Sequence, residues 1–141
     1  MNIMLVNTDN REEAKRFVKN EWKIFDEENN CIHKERKFEI IIKDSEKIIG
    51  YALYKVLGGT IYLGQIIVKK NQRNKGVGKI LLDYFEKHGT KLRCHRAFLE
   101  TSEIHKEAIK FYKSNNYKVL AVMPKHKFNK TWYLFAKELK I

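Results

Sequence analysis

The chain has 141 residues, with 29 Lys and Arg against 17 Asp and Glu, giving a formal charge of +12 at pH 7. A hydrophobic content of 43%, with 12% aromatics and a single proline, excludes a disordered or low-complexity protein and suffices for one domain, residues 1–141, with a substantial core. The N-terminal apolar run Ile3 to Val6 is too short for a signal peptide or a membrane span. No other stretch is long and uncharged enough to cross a membrane, so a cytoplasmic protein with reduced thiols is expected.

In chain order, the pattern predicts alternating strands and helices. Asn2–Val6 is a strand, after which Asp9 or Asn10 caps a helix, with Glu12 or Glu13 three residues later. Ala14, Phe17, Val18, Trp22 and Phe25 recur at helical spacing, so one side of this helix is expected to pack on a sheet. Strand alternation begins at Phe38, Ile40 and Ile42, turns at Asp44 to Glu46, and resumes from Ile48 to Leu57 before the Gly58-Gly59 hairpin turn into a strand at Ile61. These strands form an antiparallel meander. A helix over 77–88 presents Val77, Leu81, Tyr84 and Phe85 to the sheet. A strand at 96–100, a helix carrying Ala108, Phe111 and Tyr112, and closing strands Tyr117–Met123 and Thr131–Leu139 around the basic loop Lys125–Lys130 complete a mixed α/β chain.

The stretch IYLGQIIVKKNQRNKGVGKILLDYFEKH, residues 61–88, is the most informative: a hydrophobic strand, a basic glycine-bearing turn and an amphipathic helix. Arg73, Lys75, Gly76, Gly78 and Lys79 fall where the helix begins, so uncommitted backbone N–H groups and the positive end of the helix dipole converge on an anion. Two nucleotide motifs fail here. A phosphate loop ending at Gly78-Lys79 needs glycine at 73 and a hydroxyl at 80, where Arg73 and Ile80 stand. A dinucleotide fingerprint starting at Gly76 needs a small residue where Leu81 stands.

What remains, Arg73-x-x-Gly76-x-Gly78 four residues after a strand end, resembles the coenzyme A signature of the GNAT superfamily of N-acetyltransferases. TSEIHKEAIKFYKSNNYKV, residues 101–119, resembles the same superfamily's fifth strand, next helix and sixth strand, and together the two motifs cover about residues 50 to 139. The resemblance implies a central, mostly antiparallel seven-stranded sheet with splayed fourth and fifth strands, flanked by helices. It also implies acetyl-coenzyme A as donor, its arm passing between the strands at 61–69 and 96–101. Main-chain groups of Ile66, Ile67 and Val68 would bond the pantetheine as an added strand does, and Arg73, Asn74, Lys75, Gly76, Val77, Gly78 and Lys79 would hold the pyrophosphate. His105 stands where the superfamily often has an asparagine touching the cofactor arm; Asn74 and Asn116 replace glycines, and asparagine also enters the left-handed conformation.

Acyl transfer to an amine needs a base to neutralise the acceptor ammonium and an acid for the departing thiolate. Tyr112 matches the superfamily's tyrosine near the cofactor sulfur and takes the acid role, although a tyrosine on this helix face is otherwise ordinary core. Glu100 ends the strand twelve residues earlier, like the acidic residue of ribosomal-protein N-terminal acetyltransferases, and is the candidate base. A solvated or salt-bridged strand-end carboxylate is its alternative. Some relatives use an earlier strand carboxylate, where this chain has Tyr62, Gly64 and Gln65.

The acceptor that the resemblance implies is a primary amine, with a peptide N-terminus, a lysine or a small amine ranked above a polyamine because the chain is basic. Glu21, Asp26, Glu27 and Glu28 form an acidic run that would favour a cationic acceptor or simply an exposed helix end. Two further basic clusters, Lys91, Arg93, His95, Arg96 and Lys125, His126, Lys127, Lys130, raise a second reading, a basic RNA- or ribosome-associated protein of the same fold. No nucleic-acid module accompanies them, and solvated faces are the simpler account. Cys31-x-His33 and adjacent Cys94-His95 lack structural-finger spacing, so no metal is expected. A monomer or homodimer is expected.

Overall fold

The computed structural model describes residues 1–7, 9 and 11–140, and the chain divides into two compact units, Met1–Lys34 and Glu35–Ile141.

Among the described residues of the first unit, the only helix or strand is α1 (Glu12–Asn29). Arg11 occupies its N-cap position without a side-chain cap bond, and Glu12 and Glu13 lie in its first turn, where their charges favour the positive end of the helix. Asp9 is thus not the cap, and Asn10 lies outside the described residues. Phe17, Val18, Trp22 and Phe25 share a helical stripe, yet α1 has no buried residue. Asn2–Val6 carries no strand pairing, contrary to expectation. Its apolar residues run consecutively without alternating, a pattern that periodicity alone does not assign to a strand.

The second unit is a six-stranded mixed sheet with two α-helices, so the sheet has one strand fewer than expected. Its strands are β1 (Arg36–Asp44), β2 (Lys47–Leu57), β3 (Thr60–Val68), β4 (Arg96–Ser102), β5 (Lys118–Met123) and β6 (Trp132–Glu138), in the order β1-β2-β3-β4-β6-β5. The helices α2 (Val77–Lys91) and α3 (Lys106–Ser114) follow β3 and β4. Ser45 and Glu46, then Gly58 and Gly59, all have positive φ, the requirement of the tight turns that join antiparallel neighbours. Only β3 and β4 are parallel, because α2 carries the chain back across the sheet between them.

Alternation in β2 buries Gly50, Ala52, Tyr54 and Val56, and α2 covers that face with Val77, Leu81, Leu82 and Phe85. Each large apolar side chain so buried contributes roughly 1.5–3 kcal/mol. Leu82 rather than Tyr84 faces inward; Tyr84 is 56% exposed. The buried stripe of α2 is one residue wider than a strict 3–4 spacing suggests, since the helix lies along a broad sheet face. Tyr117, Glu86 and Lys137 tie α2 to the far strands: the Tyr117 hydroxyl donates to Glu86 at 3.0 Å and the Lys137 ammonium donates to it at 2.8 Å.

Candidate coenzyme-binding and acetyl-transfer site

β3 and β4 pair only at Thr60–Arg96, Ile61–Ala97 and Tyr62–Phe98. Beyond that point β3 keeps β2 as neighbour through Val68, and β4 keeps β6 through Ser102, but they no longer hold each other. The cause is local. Leu53 pairs with Gln65 and Tyr54 with Leu63, leaving Gly64 as an extra residue in β3. A bulge bends its strand and sharpens the twist, and this one lies two residues after Tyr62. The splay implied by the resemblance is therefore present, and among the described residues the inner edge of β3 from Leu63 to Val68 has no strand partner.

At the end of that edge the chain turns into α2. Lys69 N–H donates to the Ile49 carbonyl at 2.9 Å, Lys70–Gln72 form a 3-10 turn, and Arg73 Nε donates to the Val68 carbonyl at 3.1 Å. Asn74 (φ 61°) and Gly76 (φ 86°) both adopt the left-handed conformation, which for Asn74 bears out the tolerance expected of asparagine. Gly76 is the N-cap of α2, and no side chain caps the helix there. The first bond of the helical ladder runs from Ile80 N–H to the Gly76 carbonyl at 3.1 Å, so the amides of Val77, Gly78 and Lys79 precede the ladder. Val77 is buried and anchors the turn, whereas Arg73, Asn74, Lys75, Gly76 and Lys79 are exposed. Lys79 pairs with Asp83 one turn later, an exposed contact that adds little stability. A Cβ at position 78 would stand 3.6 Å from Phe111 and 3.7 Å from Val68, ordinary contacts, which brings α3 beside the first turn of α2.

Tyr112 is 5% exposed and packs against the rings of Phe111, Tyr117 and Phe135. No side-chain oxygen among the described residues is both buried and without a partner. Burial pushes the Tyr112 phenol up to about 12. The helix that carries it ends with Tyr117 N–H on the Tyr112 carbonyl at 3.0 Å and Asn116 N–H on the Lys113 carbonyl at 3.2 Å. Asn116 has φ 69°, the left-handed residue that this paired closure requires. His105 sits at the N-cap position of α3, exposed, its backbone N–H on the Ser102 carbonyl at 3.0 Å.

Glu100 lies between buried Leu99 and Thr101 on β4, so alternation sends it to the opposite face of the sheet. Its carboxylate is 3.7 Å from the Lys127 ammonium, and its charge is the second cause, after burial, that pushes the Tyr62 phenol up. Among the described residues no hydrogen bond or ion pair joins Glu100 to Tyr112. The turn residues are thus brought together at the open end of β3, and the two candidate catalytic residues stand on β4 and α3 separately. Tyr62 and Lys127, the neighbours of Glu100, were not singled out for this role. Tyr62 was legible as the occupant of a position where relatives carry a carboxylate, but Lys127 lies too far along the chain for spacing to reveal.

The acetyltransferase (GNAT) family model matches residues 5–117, and the chain belongs to that family. Solved structures agree in fold. An Agrobacterium tumefaciens protein assigned provisionally as an acetyltransferase superposes with a TM-score of 0.78 at 17% identity, covering 99% of this chain and 100% of its own. An acetyltransferase from Bacillus cereus gives 0.76 at 19% identity, covering 98% of each chain. The ribosomal-protein-S18-alanine N-acetyltransferase from Escherichia coli gives 0.70 at 18% identity, covering 90% of this chain and 77% of its own. No curated protein matches the sequence. Among the described residues, no helix is long and apolar enough to cross a membrane.

Proposed function

We propose that this chain is a single-domain N-acetyltransferase that moves an acetyl group from acetyl-coenzyme A to a primary amine by direct attack in a ternary complex. One observation carries the reading: the uncapped amides at the start of α2 stand at the end of a β3 edge that has lost its strand partner. The donor needs an anion site for its pyrophosphate next to a hydrogen-bonding edge for its arm, and these residues fit both needs. Arg73, Asn74, Lys75, Gly76, Val77, Gly78 and Lys79 would hold the phosphates, Ile66, Ile67 and Val68 the arm, and His105 a further contact. When bound, the donor supplies an activated thioester.

The chain's own groups handle protons. An unperturbed lysine amine has a pKa of about 10.4 and a chain terminus about 7.7–8.0, so an acceptor arrives largely protonated. Glu100 takes that proton through water, with Lys127 beside it. Tyr112 is protonated at neutral pH, its phenol lying at about 12, and gives its proton to the departing sulfur. The acceptor is a peptide terminus, lysine side chain or small amine. The free thiols of Cys31 and Cys94 suit a cytoplasmic setting.

Calorimetry with coenzyme A, followed by thiol-release assays over peptides, antibiotics and amines, tests the reading. Saturable coenzyme binding with acceptor-dependent thiol release is expected. Tight, salt-sensitive RNA binding without coenzyme binding would replace the enzyme by an RNA-associated protein of the same fold.

A further inference from the structure

In the Met1–Lys34 unit, three side chains converge at the C-terminus of α1. Asn30 takes the left-handed conformation (φ 53°), and Cys31 N–H donates to the Asp26 carbonyl at 3.1 Å, so the chain doubles back over the last turn. The reversal brings Cys31 Sγ to 3.7 Å from Asp26 Oδ1 and 3.7 Å from His33 Nδ1, and Nδ1 to 2.5 Å from Oδ1. The backbone N–H of His33 donates to Asp26 Oδ2 at 2.8 Å, and its ring stacks on Trp22 with centroids 4.3 Å apart. The imidazole is therefore oriented by contacts on two sides.

A thiol, an imidazole and a carboxylate in contact invite comparison with a nucleophile, its base and an orienting acid. That relay requires the thiol and the carboxylate on different ring nitrogens. Here both approach Nδ1. Three donor atoms gathered around one point form a ligand set instead, and the point equidistant from Sγ, Nδ1 and Oδ1 lies roughly 2 Å from each, close to the zinc–ligand bond lengths of about 2.0–2.3 Å. Among the described residues, no other group of His, Cys, Asp or Glu gathers three donors in this way. The cysteine and histidine were visible in the sequence as a pair too closely spaced for a finger; the third donor comes from the preceding helix.

We propose that Asp26, Cys31 and His33 bind a zinc ion with water as the fourth ligand, Nδ1 and Oδ1 moving apart from their 2.5 Å contact as the tetrahedral site forms. A set of one sulfur, one nitrogen and one oxygen selects a borderline-soft cation over magnesium or calcium, which take oxygen donors. Binding breaks the Cys31 S–H bond, forms a sulfur–zinc bond and releases the proton to solvent. His33 ligates through the Nδ1 lone pair and keeps its proton on Nε2. The ion replaces the hydrogen bonds that join the three atoms and clasps residues 30–34 to the last turn of α1. Solvent access is sufficient for entry, since the Asp26 and His33 side chains are 20% and 33% exposed.

The test uses the full chain, treated with chelator and then titrated with zinc chloride by calorimetry and with cobalt chloride by absorbance. One zinc per chain is expected, with affinity falling at least about tenfold in both Cys31→Ser and His33→Gln. The cobalt form should show a thiolate charge-transfer band that Cys31→Ser abolishes. Zinc affinity unchanged in both variants, or a cobalt spectrum without a thiolate band, overturns the site. Circular dichroism of each variant verifies that α1 is intact, and neither outcome depends on acetyl transfer.

Discussion

Tyr62 meets Phe98 across the last parallel pair of β3 and β4, their ring centroids 4.9 Å apart, and beyond this aromatic contact the two strands separate. The same pair sets the surroundings of Glu100, which follows Phe98 by two residues on the same face of β4. Burial, then the Glu100 charge, raises the Tyr62 phenol. Glu100→Gln removes that charge while keeping the side chain's shape. Tyr62 should then ionise at lower pH in an absorbance titration, and the rise of turnover with pH should flatten. An unaltered rate profile would return Glu100 to a structural role beside Lys127.

Tyr112→Phe should lower turnover by roughly 10²- to 10⁴-fold, the usual worth of a positioned acid, with little change in coenzyme affinity. Steady-state kinetics on a responsive acceptor would measure it; unchanged turnover removes Tyr112 from the acid role. The same variant has a second signature. Burial raises the Tyr112 phenol to about 12, above its ordinary value of about 10. The folded state thus binds this proton more tightly than the unfolded state. Its contribution is fully present below about pH 10 and is lost as pH rises through about 12. Urea denaturation between these limits should show a shallower loss of stability in Tyr112→Phe than in the parent chain.

The strand–turn–helix from Ile61 to His88 was legible because its signals are local: Gly58-Gly59 turning the hairpin, Gly76 opening the helix, Leu81 and Phe85 on one side of it. The left-handed Asn74 and Asn116 were legible for the same reason, through the chemistry of a single residue type. What remained hidden depends on residues distant in sequence. The bulge at Gly64 emerges only when β3 is laid against β2, and the ion pair of Glu100 with Lys127 only when β4, β6 and the loop before it are in place. Asn2–Val6 misled because a short apolar run carries no periodicity that by itself assigns it to a strand. Tyr84 misled because its exposed ring and the buried Leu82 are equally compatible with the helical period.

Gly76 and Gly78 serve different ends, and alanine separates them. At 76 the backbone has φ 86°, which costs an L-residue about 1–2 kcal/mol. At 78 a new methyl meets only ordinary contacts, the nearest 3.6 Å away. Gly76→Ala should therefore lose about 1–2 kcal/mol by urea denaturation and weaken coenzyme binding. Gly78→Ala should keep both, and gain up to about 1 kcal/mol from helix propensity.

Glu86 holds two partners at once, the Tyr117 hydroxyl and the Lys137 ammonium. Its side chain is 16% exposed, and removing it leaves the buried Tyr117 hydroxyl without its acceptor and the Lys137 ammonium, 24% exposed, without its counter-ion. Glu86→Ala should cost about 2–4 kcal/mol in urea denaturation, whereas Glu86→Gln, which still accepts a hydrogen bond, should cost less.

The most direct test of the account is an amide NMR titration of the ¹⁵N-labelled chain with coenzyme A. The account predicts saturable shifts concentrated at Gly76, Val77, Gly78 and Lys79, extending to Ile66–Val68 along the open edge of β3. Coenzyme A at saturating concentration that leaves these amides unmoved would contradict it.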